Sequence, residues 1–182
     1  MTARQLAVQL LFAMEGGQLS VSEAAELFFS EEHYATLQGE DVIFEEMPDD
    51  NQMAYIRHLT DLCQEHLEEI DGIISRYSKK WKKERLPKTT LAILRCALCE
   101  ILWMEDIPSS VAVDEAVEQG KRYESPEGAA YINGVLRSFL RDRNPQAEPG
   151  EEAPPQEEAD STPDEDGQAE EATASAPGGE DA

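Results

Sequence analysis

Bases are scarce in this chain: 15 Lys and Arg stand against 39 Asp and Glu, a formal charge of −24 at neutral pH. Phosphate affinity comes from cations, so broad, nonspecific binding of nucleic acid is excluded, while a local basic patch is not. Long apolar runs are missing as well. No stretch approaches the ~18 consecutive apolar residues of a membrane span, and the N-terminus lacks the charged, apolar and small-residue order of a secretory leader. The expected location is cytoplasmic. Cysteines are few: Cys63, Cys96 and Cys99. An odd count suits a reducing compartment better than a disulfide scaffold. Cys96 and Cys99 form a C-x-x-C, but no second Cys or His pair completes a zinc set, so they read as packing residues. His33, His58 and His66 are scattered. No Ser-His-Asp set, P-loop or glycine-rich dinucleotide motif is present. The residues argue against an enzyme, and no metal or cofactor is expected.

Apolar residues are unevenly distributed. Residues 144–182 contain no Lys, Arg, Ile, Leu, Val, Phe, Tyr or Trp, and they hold 13 of the 39 acids. Such a segment cannot bury enough apolar surface to offset its ordering entropy, so it is expected to be a disordered acidic tail. It reads as a solubilising, repulsive appendage, or as an RNA mimic that competes for the body's own bases. Residues 1–143 hold enough aliphatic and aromatic side chains for one domain.

No alternating strand pattern appears in that domain, and its periodicity is helical. Residues 3–15 carry Leu6, Ala7, Leu10, Leu11 and Met14 on one face, and Gly16-Gly17 ends the run. Ser20-Val21-Ser22-Glu23 has capping-box spacing and opens a helix with Ala24, Leu27 and Phe28 on one face. Residues 31–50 are acidic and read mostly as loop. Asn51 can cap a long helix with Ile56, Leu59, Leu62, Cys63, Leu67 and Ile70 along its buried stripe, bending at Asp71-Gly72. Leu86-Pro87 opens an apolar helix, which Pro108 stops. Ser109 or Ser110 caps the next, and Ser125-Pro126 opens the last, with proline at the first helical position. The expected fold is all-α, with about seven helices in a compact bundle.

Two basic groups interrupt the acidity. Arg76, Lys79, Lys80, Lys82, Lys83, Arg85 and Lys88 lie within thirteen residues, with Glu84 as the one acid and Tyr77 and Trp81 interleaved. Cations that meet phosphate and rings that stack on bases suit single-stranded RNA. The alternative is a solvated linker anchored by Trp81. The second group is Lys121, Arg122, Tyr131, Arg137, Arg141 and Arg143. Within it, Asn133 and Gly134 cost helix propensity. Either Gly134 lets two helices approach, or Tyr131 and Asn133 face a ligand. Asp114, Glu115 and Glu118 share a helix, as a solvated face or as a partner surface.

Several motifs occur in a specific order. Ala7-Val8-Gln9-Leu10-Leu11-Phe12 comes first and Leu67-Glu68-Glu69-Ile70-Asp71 second. Leu86-Pro87-Lys88 then leads to Ala92-Ile93-Leu94-Arg95. Asp106-Ile107-Pro108 precedes Val111-Ala112-Val113-Asp114-Glu115-Ala116-Val117, and Tyr131-Ile132-Asn133-Gly134-Val135-Leu136 closes the series. Over about residues 3–140 this order resembles the NusB family of bacterial transcription antitermination factors. Family members carry an arginine-rich arm before and into the first helix, and Arg4 is the residue here that matches it. The family often has Lys where this chain has Ala130, and a long acidic tail is not part of its common pattern.

The resemblance implies a NusB-like helical RNA-binding protein with no catalytic role. Its expected partners are a single-stranded boxA-type RNA and NusE, a small-subunit ribosomal protein. With them it would join an antitermination complex on RNA polymerase, notably at ribosomal RNA operons. By resemblance Arg4 is expected at the RNA, Tyr131 and Asn133 near the RNA and partner surface, and Phe12 on the NusE face. Lys79, Lys80, Lys82 and Lys83 are added as RNA contacts from their charge alone, and Asp114, Glu115 and Glu118 as partner contacts. A protein-interaction module with weak or lost RNA binding is the competing expectation. RNA cytosine methyltransferases with NusB-like N-terminal domains need a following methyl-donor domain, whereas 144–182 is a polar segment.

Overall fold

The computed structural model describes residues 2–15, 19–78 and 85–144. The acidic tail from 145 onward, the Gly16-Gly17 stop and residues 79–84 lie outside these. The described residues form eight α-helices and one short 3-10 turn, with no strand among them. The helices are α1 (Thr2–Met14), α2 (Val21–Phe28), α3 (Glu31–Leu37), α4 (Asp50–Glu65), α5 (Leu67–Tyr77), α6 (Lys88–Trp103), α7 (Ser109–Tyr123) and α8 (Pro126–Arg143); the 3-10 turn is Val42–Phe44.

Helix α6 is central because its sequence is apolar on every side, and a helix without a polar face has to be surrounded. Every residue from Thr90 to Glu100 is buried, and α1, α4, α5, α7 and α8 all pack on it. Cys63 of α4 meets Cys96 and Cys99 of α6 there, and burial first, then these neighbouring thiols, push the Cys63 thiol well up. All three cysteines are free and buried. Among the described residues no group of His, Cys, Asp and Glu is placed to hold a metal ion, and no helix is long and apolar enough to cross a membrane.

Several expected boundaries hold. Ser20 and Glu23 form the capping box, the Glu23 N–H donating to Ser20 Oγ at 3.3 Å and the Ser20 N–H to Glu23 Oε2 at 2.9 Å. Ser125 caps α8, accepting from the Gly128 N–H at 3.3 Å, with Pro126 following. Others move. Asp49, not Asn51, caps α4, in a box with Gln52. The long helix breaks at His66 rather than at Asp71-Gly72; Gly72 lies inside α5, with open space where its Cβ would be. Pro108 itself occupies the cap position of α7, so neither Ser109 nor Ser110 caps it.

The acidic stretch 31–50 is the main departure. It contains α3, capped by Ser30, and the 3-10 turn, capped by Asp41. Tyr34 anchors both: it is 1% exposed, and its hydroxyl donates to the carbonyls of Ile43 (3.2 Å) and Glu46 (3.0 Å). Its ring meets Phe44 edge-on and Phe29 at a tilt. One buried residue in a seven-residue helix leaves no periodicity to read, so the count rises from about seven helices to eight. Leu27, expected on the buried face of α2, is instead 60% exposed.

Candidate nucleic-acid and partner interface

The end of α5 packs along α8. The Tyr77 ring sits edge-on to Phe139 at 5.8 Å, and the Ser78 and Tyr131 hydroxyls hydrogen-bond each other. Burial raises the Tyr131 hydroxyl above its ordinary range, and the bond to Ser78 offsets this in part. Arg76 is exposed on the last turn of α5, its guanidinium 5.7 Å from the Tyr77 ring centre. The first basic group therefore begins against the helix that carries Arg137, Arg141 and Arg143. The groups are far apart in sequence, and the helices that carry Arg76 and these arginines pack on each other. Arg85 and Lys88 are exposed where the basic run ends. Lys79, Lys80, Lys82 and Lys83 lie outside the described residues. Lys121 and Arg122 do not join the seam: Lys121 pairs with Glu118 at 2.7 Å, and Arg122 pairs with Asp41 before the 3-10 turn.

Asn133 lies one turn before Arg137, whose Nε donates to Asn133 Oδ1 at 2.8 Å. Gly134 is not a point of close helix approach among the described residues, since a Cβ there would meet nothing within 4 Å. The close approach of α7 and α8 occurs at Gly120, where a Cβ would lie 3.0 Å from both Ala129 Cα and Ile132 Cδ1. Gly120→Val is expected to destabilise the fold by about 1–3 kcal/mol, because the backbone of α8 has to give way. Chemical denaturation would read this as a lower midpoint at unchanged slope.

Arg4 occupies a different environment. Its Nε lies 2.7 Å from Glu100 Oε1 on α6 and its Nη1 lies 3.1 Å from Glu115 Oε2 on α7. The Tyr55 hydroxyl of α4 donates to the same Glu100 oxygen. Arg4's side chain is 12% exposed and that of Glu100 is not exposed at all. Burial alone would lower the guanidinium, but Glu100, Tyr55 and Glu115 together outweigh it and the net shift is upward. Tyr55 is raised by burial and then by the Glu100 charge. Arg4, expected at the RNA, and Glu115, expected at a partner, are thus paired with each other. Asp114 and Glu118 are exposed on α7, and Phe12 is exposed on α1.

The other end of α1 is held the same way. Arg95 is buried on α6 and grips both Asp71 oxygens at 2.9 and 3.0 Å, and it also pairs with Glu15. A groove of about 370 Å³ between Leu11, Met14, Leu19 and Leu67 is floored by Arg95 and Cys63. Its one cation is taken up by two carboxylates.

The model of the NusB family matches residues 1–141. A transcription antitermination protein NusB from Thermoanaerobacter sp. (strain X514) is 37% identical over 140 residues, covering 77% of this chain and 89% of that protein. One from Natranaerobius thermophilus is 34% identical over 145 residues, covering 79% and 95%. Among solved structures, NusB of T. maritima superposes with a TM-score of 0.63 at 28% identity, over 77% of this chain and 89% of that one. A chain from the complex of antitermination factors NusB and NusE with double-stranded RNA gives a TM-score of 0.60 at 19% identity, over 78% and 95%, a likeness of fold.

Proposed function

The chain belongs to the NusB family, and from that premise we propose that it is a transcription antitermination factor that binds boxA-type single-stranded RNA together with NusE. The proposed site of action is RNA polymerase at ribosomal RNA operons. The observation that carries the RNA side is the seam of α5 and α8, which joins the helix that ends in Arg76 to the helix of Arg137 and Arg141 beside Tyr131, in a protein of charge −24. Cations gathered on so acidic a body attract phosphate locally while the remainder repels it, which favours one site over diffuse binding. Lys79, Lys80, Lys82 and Lys83 are assigned further phosphate contacts from their charge, and Tyr131 and Asn133 are assigned to the RNA side by the family's C-terminal motif.

The protein partner is assigned to exposed Phe12 and to the acidic face of Asp114 and Glu118. Arg4 and Glu115 support these surfaces from beneath, because their charges are spent on each other and on Glu100. Modest affinity for RNA and for NusE combines in the joint complex as a positive coupling, which is reciprocal by linkage.

The commitment of Arg4 to Glu100 also favours a second reading, a protein-binding module with little RNA affinity. A titration of labelled boxA-type RNA with this protein, with and without NusE, at two salt concentrations separates the two. Weak binding alone, tighter binding with NusE and loss of affinity at high salt are expected. NusE binding with no RNA binding in any mixture would establish the module instead. Because a solved NusB–NusE complex holds double-stranded RNA, a duplex of the same sequence is the necessary competitor.

A further inference from the structure

Between Arg4 and Arg57 the chain has no Lys or Arg and eleven Asp and Glu. The rest of the body, residues 1–4 and 57–143, holds fifteen acids and fifteen bases, so the body's whole excess of negative charge lies in this one stretch. The same stretch carries most of the large apolar side chains left in water. Among the described residues these are Phe12, Leu19, Leu27, Val42, Met47 and Val111, and only Val111 falls outside it. Apolar residues scattered singly over a surface need no reason, but a gathering of them marks a place of contact.

Leu27, Val42 and Met47 stand on one lobe. An aromatic lattice joins α2 to the 3-10 turn: the Phe28 ring lies 6.4 Å from that of Phe44, and Tyr34 meets both Phe44 and Phe29. The Tyr34 hydroxyl also holds the carbonyl of Glu46, next to Met47. Leu27 adjoins Phe28 in this lattice, and Val42 opens the turn that contains Phe44. The backbone beneath the three side chains is thus fixed while the side chains are exposed. Such a platform loses little freedom when it is covered. Glu26, Glu31, Glu40, Glu45 and Glu46 are exposed on the same elements and their connections.

Charge selects what covers it. RNA is repelled by so many carboxylates. A second copy of the chain would set eleven acids of its own against these, and like charges across an interface oppose association. The complement is a segment with Lys or Arg around apolar side chains. We propose that the lobe of α2, α3 and the 3-10 turn is a docking surface for a basic amphipathic segment of another protein. Leu27, Val42 and Met47 meet its apolar side chains, and the glutamates around them meet its cations. The surface uses none of the residues assigned above to RNA or to NusE and goes beyond both.

The probe is a labelled helical peptide of Lys and Leu alone, at amphipathic spacing, titrated into the full chain at low and high salt and followed by fluorescence anisotropy. Binding that weakens with salt is expected. Leu27→Ser, Val42→Ser and Met47→Ser together are expected to weaken it about tenfold or more, at an unchanged melting temperature. Replacing Glu31, Glu40, Glu45 and Glu46 together by Gln is expected to flatten the salt dependence. Every variant keeps residues 144–182, so attraction of the peptide to those acids is common to all and drops out of the comparison. Unchanged affinity in a stable serine variant overturns the docking surface. If that variant melts lower, the glutamine variant decides, and an unchanged salt dependence overturns it. Absence of peptide binding by the unaltered chain overturns it as well. Loss of NusE or RNA binding in the serine variant, with peptide affinity intact, would assign the side chains to that partner and also overturn it. Failure of the unaltered chain to bind boxA-type RNA or NusE would defeat the reading above and leave this one standing, since neither enters the peptide titration.

Discussion

Replacing Lys79, Lys80, Lys82 and Lys83 together by Gln is expected to weaken binding of boxA-type RNA by about a hundredfold at low salt and to flatten its salt dependence. Each phosphate contact on a single strand contributes about 0.7 to the slope of log K against log salt, so four lost contacts remove nearly 3. Thermal melting of the variant beside the unaltered chain separates a lost contact from a lost fold. The chain offers few substitutes, because Arg4, Arg95, Lys121 and Arg122 are each engaged with acids. An unchanged slope would assign the four lysines to solvent and leave α8 with whatever salt dependence is measured.

Arg4→Ala is expected to destabilise the fold by about 3–5 kcal/mol, because it strips the cation from a carboxylate that has no exposure of its own. The loss should come from Glu100 rather than Glu115, which is partly exposed and can be solvated. Arg4→Met combined with Glu100→Gln should therefore recover most of it, since replacing both partners of a buried pair is often close to neutral. The double variant separates support from contact. If Arg4 only holds α1 in place, the restored protein binds RNA with the original salt slope. A slope reduced by about 0.7 in a protein of normal stability would return Arg4 to the RNA.

What could be read without coordinates was what local chemistry writes into neighbouring residues. Ser20 with Glu23 and Ser125 with Pro126 declare helix starts within four residues. The apolar stretch of α6 declares its own burial. Features set by distant residues were hidden. Nothing near Arg4 in sequence announces Glu100 or Glu115, so its two ion pairs were not legible there. Gly120 and Gly134 both interrupt good helices. They differ in what stands opposite, Ala129 and Ile132 in one case and, among the described residues, nothing within 4 Å in the other. Helix α3 was missed because a single buried tyrosine in seven residues makes no pattern. The candidate interface was legible as two basic groups, and the packing of α5 on α8 was not, because it depends on Tyr77 reaching Phe139 and Ser78 reaching Tyr131.

Helix α6 raises a question of identity rather than strength. A cylinder greasy on all sides, set among five neighbours, could turn about its own axis and trade one aliphatic contact for another at little cost. Two side chains forbid this. Arg95 and Glu100 are five residues apart, about 140° around the helix, and their partners lie on different elements: Asp71 and Glu15 for one, Arg4 and Tyr55 for the other. A rotated packing would leave a bare ion in hydrocarbon at two separate points. The two ions act as the teeth of a key, so this largely apolar helix takes its orientation from its two buried charges.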